Sequence, residues 1–406
     1  MKKTFGYLLA GMTCMALTFN ACSDSSEPTG GGGGQYQNTP YSDLTPEQQK
    51  EKLADEANAF INQMKGLENQ KAVDVMEALD NLLNDSAQLP NVGGNVIGSS
   101  QELYKINQFY GKFTWQPATK TWKEEPAQAL SFNFPVGSQQ AVISITGVSS
   151  GKIYSYEEYY DSYWDYEKQQ WIDEYETYKV DLPKSLSAEI TLNGEKVGSI
   201  SLNAEIVSAN DIPNSANMSL SLGSYTFTQS ANKNGSATAS LKNGSTTLMS
   251  LSAKLNGDLE QLGASDDYTG NFQLKLMDLV FEGNMDYASY AKEEKELYAV
   301  YRNANYSDAA WENYVKGEVE VFNKYSNIYL VSTKDNTKIA KLILKAKRTA
   351  YYDAWSGQTY YDWESVPVLE FGDGTQVEAE AYFTSGFDTV LDNFKNFIKT
   401  FGIEID

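Results

Sequence analysis

The stretch from Ser185 to Leu255 constrains the fold more than any other part of this chain. Positions 186, 188, 190 and 192 are apolar and the residues between them are polar, which is the two-residue period of a half-buried antiparallel strand. Asn193-Gly194 and Asn243-Gly244 separate such runs, and Asn-Gly tolerates the positive φ angles of a type I′ hairpin turn. The pattern predicts a meander of antiparallel strands with one polar face.

Helical patterns lie before, within and after the strand-rich region. Residues 45–48 have the capping-box order Thr-Pro-Glu-Gln, and apolar residues then recur at helical spacing as far as Gly66. A second run, from Ala72 to Leu83, completes a predicted helical hairpin. Residues 285–324 predict an inserted helical pair that breaks at 305–307, with Ser307 as the N-cap of its second helix. Ser385 begins a predicted C-terminal helix with an apolar stripe at Phe387, Leu391, Phe394, Ile398 and Phe401.

The remaining strands complete the predicted architecture. Outside the central meander they are expected at residues 104–115, 129–134, 141–147, 177–182, 218–228, 271–282, 328–333, 338–352, 359–371 and 376–384. We predict an α+β fold with a large antiparallel β-meander sheet, an N-terminal helical hairpin, an inserted helical pair and a docked C-terminal helix. Residues 41–406 contain no Pro/Gly/Ser-rich linker, so they are predicted as one body; division into 41–286 and 287–406 is the alternative.

The first residues have the organisation of an export signal. Lys2 and Lys3 precede an apolar run from Phe5 to Phe19 that is too short to span a bilayer comfortably. The stretch TFNACSDSSE, which contains Cys22, resembles the lipobox of bacterial lipoproteins, whose cysteine is acylated and becomes the N-terminal residue. The resemblance implies a signal peptide at 1–21, a lipid on Cys22 and a flexible tether over 22–40. An ordinary cleaved secretory signal is the alternative.

The residues after Cys22 bear on the destination. Ser23, rather than Asp, follows the cysteine, which in the lipoprotein family implies the outer membrane. The acidic run from Asp24 to Glu27 is similar to the export signals of surface lipoproteins of Bacteroidota. The resemblance therefore implies a lipid-anchored outer-membrane protein displayed at the cell surface, with the periplasmic face as the alternative. Cys22 would be the only cysteine of the mature chain, so the fold is expected to have no intramolecular disulfide.

Charge and composition exclude several classes of function. The net charge of −22 disfavours binding to nucleic-acid phosphates, and the absence of histidine excludes Ser-His-Asp triads and histidine-bearing zinc sites. The sequence has no Walker loop, dinucleotide fingerprint or EF-hand loop, so no cofactor or metal is predicted. Carboxylate chemistry is the one catalytic possibility that composition leaves.

The most unusual feature of the sequence is the pairing of tryptophans around predicted turns. Six of the seven tryptophans form three such pairs, and tyrosines crowd around the second and third. One interpretation is cross-strand pairing that stabilises hairpins, at roughly 0.2–1 kcal/mol per pair. The other is a sugar-binding surface, in which rings stack on pyranoses and carboxylates accept hydrogen bonds. The candidate ligand-binding residues are Trp115, Trp122, Tyr160, Trp164, Trp171, Tyr352, Trp355, Tyr361 and Trp363, with Asp161 and Asp353.

These features together predict a non-catalytic, lipid-anchored binding or assembly protein of the cell envelope. Its expected partners are the membrane, through Cys22, and a polysaccharide or an envelope protein. The first alternative is a carrier of lipid or another hydrophobic ligand, with a cavity lined by Leu192, Leu202, Leu251 and the C-terminal phenylalanines. The second is a glycoside hydrolase with two carboxylates about 5–10 Å apart. The binding hypothesis instead predicts a filled core and exposed, coplanar rings.

Overall fold

The computed structural model describes residues 36–87, 90–92, 95–96, 103–104, 106, 110–209, 213–257, 268–353, 357–384 and 386–399. Six α-helices lie within this part of the chain: α1 (Pro46–Met64), α2 (Lys71–Asp85), α3 (Tyr287–Asn303), α4 (Asp308–Tyr325), α5 (Ala379–Thr384) and α6 (Asp388–Lys399). The predicted helical hairpin corresponds to α1 and α2, the inserted pair to α3 and α4, and the C-terminal helix to α6.

The strands follow one another along most of the chain. The first nine are β1 (Asn91–Val92), β2 (Asn95–Val96), β3 (Leu103–Tyr104), β4 (Gly111–Gln116), β5 (Thr121–Glu125), β6 (Leu130–Val136), β7 (Gln139–Asp165), β8 (Gln170–Leu192) and β9 (Glu195–Glu205). The next six are β10 (Ser215–Leu222), β11 (Tyr225–Asn232), β12 (Ser236–Asn243), β13 (Thr246–Asn256), β14 (Thr269–Leu276) and β15 (Leu279–Asp286). The last four are β16 (Ser326–Ser332), β17 (Thr337–Asp353), β18 (Gln358–Phe371) and β19 (Gln376–Glu378).

One continuous ladder joins most of these strands. From β6 to β19 each strand pairs antiparallel with the next in sequence, as a meander requires. β4 pairs antiparallel with β5 and parallel with β6, and β3 pairs parallel with β8. The small β1–β2 pair is separate from the ladder. The predicted α+β class with a large meander sheet is confirmed. The ladder also crosses the alternative division at residue 287, because β15 pairs with β16.

The N-terminal helices pack on one face of the sheet. α1 begins with the predicted capping box: the Thr45 hydroxyl accepts a hydrogen bond from the Gln48 N–H, and the Gln48 carboxamide oxygen accepts one from the Thr45 N–H. Ala72 and Val75 of α2 are fully buried in a core that includes apolar residues of β4, β6, β7, β8 and β10. A Cβ at Gly198 would lie 3.0 Å from the Ala72 Cβ, so the glycine permits the close approach of α2 to the sheet.

The two Asn-Gly turns differ from each other. Asn193 and Gly194 have φ angles of 51° and 81°, as the predicted type I′ turn requires. In the second hairpin Gly244 has a φ of 58°, whereas Asn243 is the last residue of β12 and does not have a positive φ. A register shift at Leu241/Lys242 accompanies this second turn, so the type I′ prediction is wrong there.

Other departures from prediction concern the ends of elements. β7 and β8 have 27 and 23 residues and extend far beyond the predicted segments 141–147 and 177–182. The strand predicted over 376–384 ends at Glu378, because the chain turns into α5 and buries Tyr382 beside Phe371. Ser307 precedes α4 as predicted, but its side chain makes no capping hydrogen bond. The predicted cap Ser385 and the stripe residue Phe401 lie outside the described residues.

A strap formed by residues 36–42 crosses the other face of the sheet. Tyr36 packs against Val280, Tyr329 and Val331, and its N–H donates to Glu282 Oε1 over 2.7 Å. The strap continues to Lys338, whose N–H donates to the Pro40 carbonyl and whose carbonyl accepts from the Ser42 N–H. Glu282 is only 1 % exposed beneath it. The strap therefore fixes the start of the described chain to β15, β16 and β17.

Burial of Glu282 predicts a pH-dependent stability. Desolvation raises the pKa of the Glu282 carboxyl above its ordinary value of 4.5, although hydrogen bonds from Tyr36 and Gln273 act in the opposite direction. The folded protein thus holds this proton more tightly than the unfolded chain, and the resulting stabilisation is lost as the pH rises through the folded-state pKa. We expect the unfolding free energy of Glu282→Gln to increase relative to that of wild type as the pH rises above the ordinary carboxyl pKa of 4.5, because the variant has no proton to lose. Denaturant titrations at several pH values measure this difference; parallel pH profiles would contradict it.

Candidate functional site

A long two-stranded ribbon projects from the sheet where β7 and β8 outlast their neighbours. We call residues 153–181 the aromatic ribbon. β6 pairs with residues 139–145 of β7 and β9 with residues 185–192 of β8, while β3 touches the ribbon at Lys179 and Val180. The register from Ile153↔Asp181 to Asp165↔Gln170 gives the ribbon a length of about 40 Å at the usual rise per residue.

The base of the ribbon is held by a buried carboxylate. Asp181 accepts hydrogen bonds from the Ile106 N–H at 2.9 Å and from the Ser149 hydroxyl at 2.5 Å. Register shifts between Val148 and Ile153 lie beside it. These contacts anchor the ribbon where it leaves the sheet.

The ribbon is rich in aromatic and acidic residues. Positions 154–180 contain eight tyrosines, two tryptophans, eight acidic residues and two lysines. Trp171 is 64 % exposed, Trp164 is 38 % exposed and Tyr166, in the turn, is 85 % exposed. A two-stranded ribbon has no core of its own, so these rings remain accessible to a ligand.

Trp164 and Trp171 form the tip of the aromatic ribbon. They are direct cross-strand partners, with ring centroids 5.8 Å apart and ring planes at 72°. The predicted coplanar arrangement is therefore wrong for this pair, since edge-to-face packing is the preferred geometry of neighbouring rings. Trp171, the more exposed of the two, is the ring best placed to stack on a ligand.

Two aspartates beside the tip have different roles. Asp165 accepts hydrogen bonds from the backbone N–H groups of Lys168 and Glu167 and pairs with the Lys168 ammonium at 3.2 Å. The hydrogen bond from the Lys168 backbone contributes most to lowering the pKa of Asp165, which is engaged in shaping the turn. Asp161, a predicted ligand contact, is exposed and accepts a hydrogen bond from the Ser162 N–H at 2.7 Å.

Tyr160, another predicted ligand contact, lies in β7 at a register shift, and its side chain is outside the described part of the structure.

The first tryptophan pair is part of the core. Trp115 is 6 % exposed and packs edge-on against Trp122 at a centroid distance of 5.2 Å. Trp122 also contacts Phe132 and Phe134, at 5.6 and 6.3 Å. Trp115 is buried and Trp122 is half-buried, and the packing of both rings is that of the structural interpretation.

The third aromatic group lies on the far part of β17 and β18, against α4. The Lys316 ammonium covers the Trp363 ring at 4.4 Å, and the Trp311 indole N–H donates to Asp362 Oδ1 at 2.7 Å. These contacts join the strands to α4 and make Trp363 a packing residue. Tyr352 and Tyr361 are exposed, whereas Trp355 and the side chain of Asp353 lie outside the described residues.

The sequence analysis missed a tyrosine cluster at the turn between α3 and α4. Tyr301 packs against four other rings at centroid distances of 5.1 to 6.2 Å: Tyr298, Tyr306, Trp311 and Tyr314. The recurrence of aromatic residues three or four positions apart in each helix is the signal that could have indicated it. The rings pack mainly on one another, which stabilises the helical pair.

The surroundings of Leu192 and Glu293 do not favour the alternative functions, which are a carrier of a hydrophobic ligand and a glycoside hydrolase. Leu192, expected to line a carrier cavity, is 4 % exposed and packs in the core. A groove of about 430 Å³ runs along α3 and α4 and includes Glu293 and Glu296. Glu293 accepts hydrogen bonds from Lys324 and Tyr325, so this carboxylate is engaged within the helical pair.

Strand direction determines which end of the molecule carries the ribbon. Consecutive strands alternate in direction. The ribbon turn at 166–169 and the turn between β17 and β18 therefore lie at the same end of the strands. α1 lies at the opposite end of the strands, where Lys52 pairs with Asp335 in the turn before β17.

Every helix in the described part of the chain is too short or too polar to cross a bilayer.

Substitution of single tryptophans should separate the structural pair from the exposed pair. Trp115→Ala is expected to lower the unfolding free energy by about 3–5 kcal/mol, because it leaves a cavity in the core. Trp171→Ala, at an exposed position, should change the unfolding free energy by about 0.5 kcal/mol or less. Chemical denaturation of both variants measures the difference. Equal losses would show that the ribbon tip is itself a structural element.

Comparison of the chain with protein-family models, with curated proteins and with solved structures gives no match.

Proposed function

We propose that this protein is a lipid-anchored binding protein of the cell envelope that contacts a polysaccharide through the tip of the aromatic ribbon. The observation that carries the proposal is the exposure of Trp164 and Trp171 on a ribbon that has no core beneath them. The export segment around Cys22, which resembles that of surface lipoproteins, supports a position at the outer membrane.

The chemistry of the tip fits sugar rings. An exposed indole keeps apolar surface in contact with water, and stacking on the C–H face of a pyranose removes that surface from water. Asp161 already accepts a hydrogen bond from the Ser162 N–H and, three positions before Trp164, lies on the other face of the ribbon. The exposed carboxylate of Asp173 lies two residues from Trp171 on the same face and is suited to accept hydrogen bonds from sugar hydroxyls. The chain has no histidine, and the binding role requires no catalytic group.

The charge of the ribbon indicates the class of polysaccharide. Eight acidic residues against two lysines in positions 154–180 repel uronate, sulfate or phosphate groups on a ligand. A neutral polysaccharide avoids this repulsion and retains both stacking and hydroxyl hydrogen bonds. We therefore assign a neutral polysaccharide as the ligand.

Affinity gel electrophoresis of the chain from Ser23 onward, which lacks the cysteine that would carry the lipid, through gels containing neutral or anionic polysaccharides tests this function. We expect retardation by at least one neutral polymer and, for Trp171→Ala, about a tenfold loss of affinity, since a stacked ring contributes about 1.4 kcal/mol. The matched control is Tyr306→Ala, which removes a ring 53 % exposed on the α3–α4 turn and should bind as wild type does. A folded protein that no polysaccharide retards, or a Trp171→Ala variant with full affinity, would contradict the proposal.

The anchor is tested separately in cells. We expect Cys22→Ser to move the protein from the membrane fraction to the soluble fraction, because the acylated thiol is lost. Mass spectrometry of the wild-type N-terminal peptide should show the acyl chains. Protease treatment of intact cells should degrade the wild-type protein if it faces outward; full protection would assign it to the periplasmic face.

A further inference from the structure

The outer face of β10–β14 carries an unusual set of side chains. We call this surface the hydroxyl face; it consists of alternate residues over 215–221, 226–232, 236–242, 250–254 and 271–275, which the register places side by side. Its eighteen residues are eleven serines or threonines, four asparagines or glutamines and three lysines, with no aspartate or glutamate. None of these residues is buried.

The absence of carboxylates from this face contrasts with the rest of the chain. The whole protein has 54 acidic and 32 basic residues, and the aromatic ribbon alone has eight acidic residues. The face spans about 20 Å across five strands at the usual strand spacing. Lys242, Lys254 and Lys275 give it a positive charge, which suits it to approach an anionic surface; Glu205, opposite Ser215, lies at its border on β9.

The strap connects this face to the N-terminus. Lys275 of the hydroxyl face is the cross-strand partner of Val280, and Gln273 is the partner of Glu282. Tyr36 lies on Val280 and donates its N–H to Glu282, so the strap begins on the same side of the sheet, at the border of the hydroxyl face. Two acids of β15 lie at this border: Glu282 is covered by the strap, and Asp286 accepts hydrogen bonds from the N–H and hydroxyl of Ser289 at the start of α3.

The length of chain before the strap limits the distance to a membrane anchor. Fourteen residues separate Cys22 from Tyr36, and they span at most about 48 Å when fully extended. A lipid on Cys22 would therefore hold the membrane surface within reach of the side of the sheet where the strap begins. The acidic ribbon leaves from the edge of the sheet, and an anionic membrane repels it.

We infer that the hydroxyl face lies against the membrane, with its hydroxyls and lysines contacting the phosphate groups of lipid headgroups. Serine and threonine hydroxyls donate hydrogen bonds to phosphate oxygens, and the three lysines add salt-dependent attraction. The inference rests on the proposed lipid anchor and not on polysaccharide binding. In this orientation the hydroxyl face, whose eighteen residues include no carboxylate, lies against the membrane.

The composition of the chain makes a direct test possible. The chain has no histidine, so a hexahistidine in place of Cys22 attaches the mature chain to vesicles containing nickel-chelating lipid. The remaining chain then has no cysteine, so a single dye can be placed at Ser219→Cys on the hydroxyl face or at Glu167→Cys in the ribbon turn. Energy transfer to acceptors in the bilayer reports which dye is nearer.

On vesicles of phosphatidylcholine with phosphatidylglycerol, we expect greater energy transfer from the dye at position 219 than from the dye at position 167. The difference should decrease with added salt, and it should disappear in the double variant Thr228→Glu/Thr238→Glu, whose folding is checked by circular dichroism. Equal transfer from the two dyes, greater transfer from position 167, or no effect of the two glutamates would overturn the inference. Because nickel-chelating lipid replaces the acyl chains and no polysaccharide is present, these outcomes are independent of Cys22 acylation and of polysaccharide binding.

Discussion

The backbone ladder from β6 to β19 is the constraint on which the rest of the structure depends. Each strand gives its hydrogen bonds to its sequence neighbours, so one face can be apolar and the other polar along the whole sheet. The apolar face is closed by α1 and α2, which bury Ala72 and Val75 against it. Within the described residues no helix covers the polar face over β10–β14, whose side chains are not buried.

The aromatic ribbon and the strap are two features that depart from the regular pairing of this ladder. Where β7 and β8 continue past β6 and β9, they pair mainly with each other instead of with a strand on each side. This part of the two strands is rich in aromatic residues. Where residues 36–42 cross β15 to β17, added backbone hydrogen bonds fix the N-terminal segment to the outer face. The first feature directs rings away from the body, and the second determines on which side the tether begins.

Local patterns predicted much of the fold because they reflect local physics. The capping box at Thr45 and Gln48, the apolar stripe of α1 and the Asn193-Gly194 turn depend on residues close in sequence, and the structure confirms them. The prediction of a strand over residues 376–384 was wrong because a contact with residues distant in sequence determines the secondary structure there. Residues 379–384 form a helix because Tyr382 packs on Phe371 and donates its hydroxyl to the Pro46 carbonyl, a contact that no local pattern contains.

The sequence by itself determined the sheet-forming period, the charge, the helix starts and the pairing of tryptophans around turns. It did not determine which tryptophan pair is buried, because Trp115–Trp122 and Trp164–Trp171 have the same spacing. Only the tertiary structure decided this: Trp122 of β5 packs against Phe132 and Phe134, whereas in the described part of the chain no third strand or helix lies beside the tip of the aromatic ribbon. Burial depends on which neighbours pack against a ring, and those neighbours are brought together by strand pairing over long sequence distances.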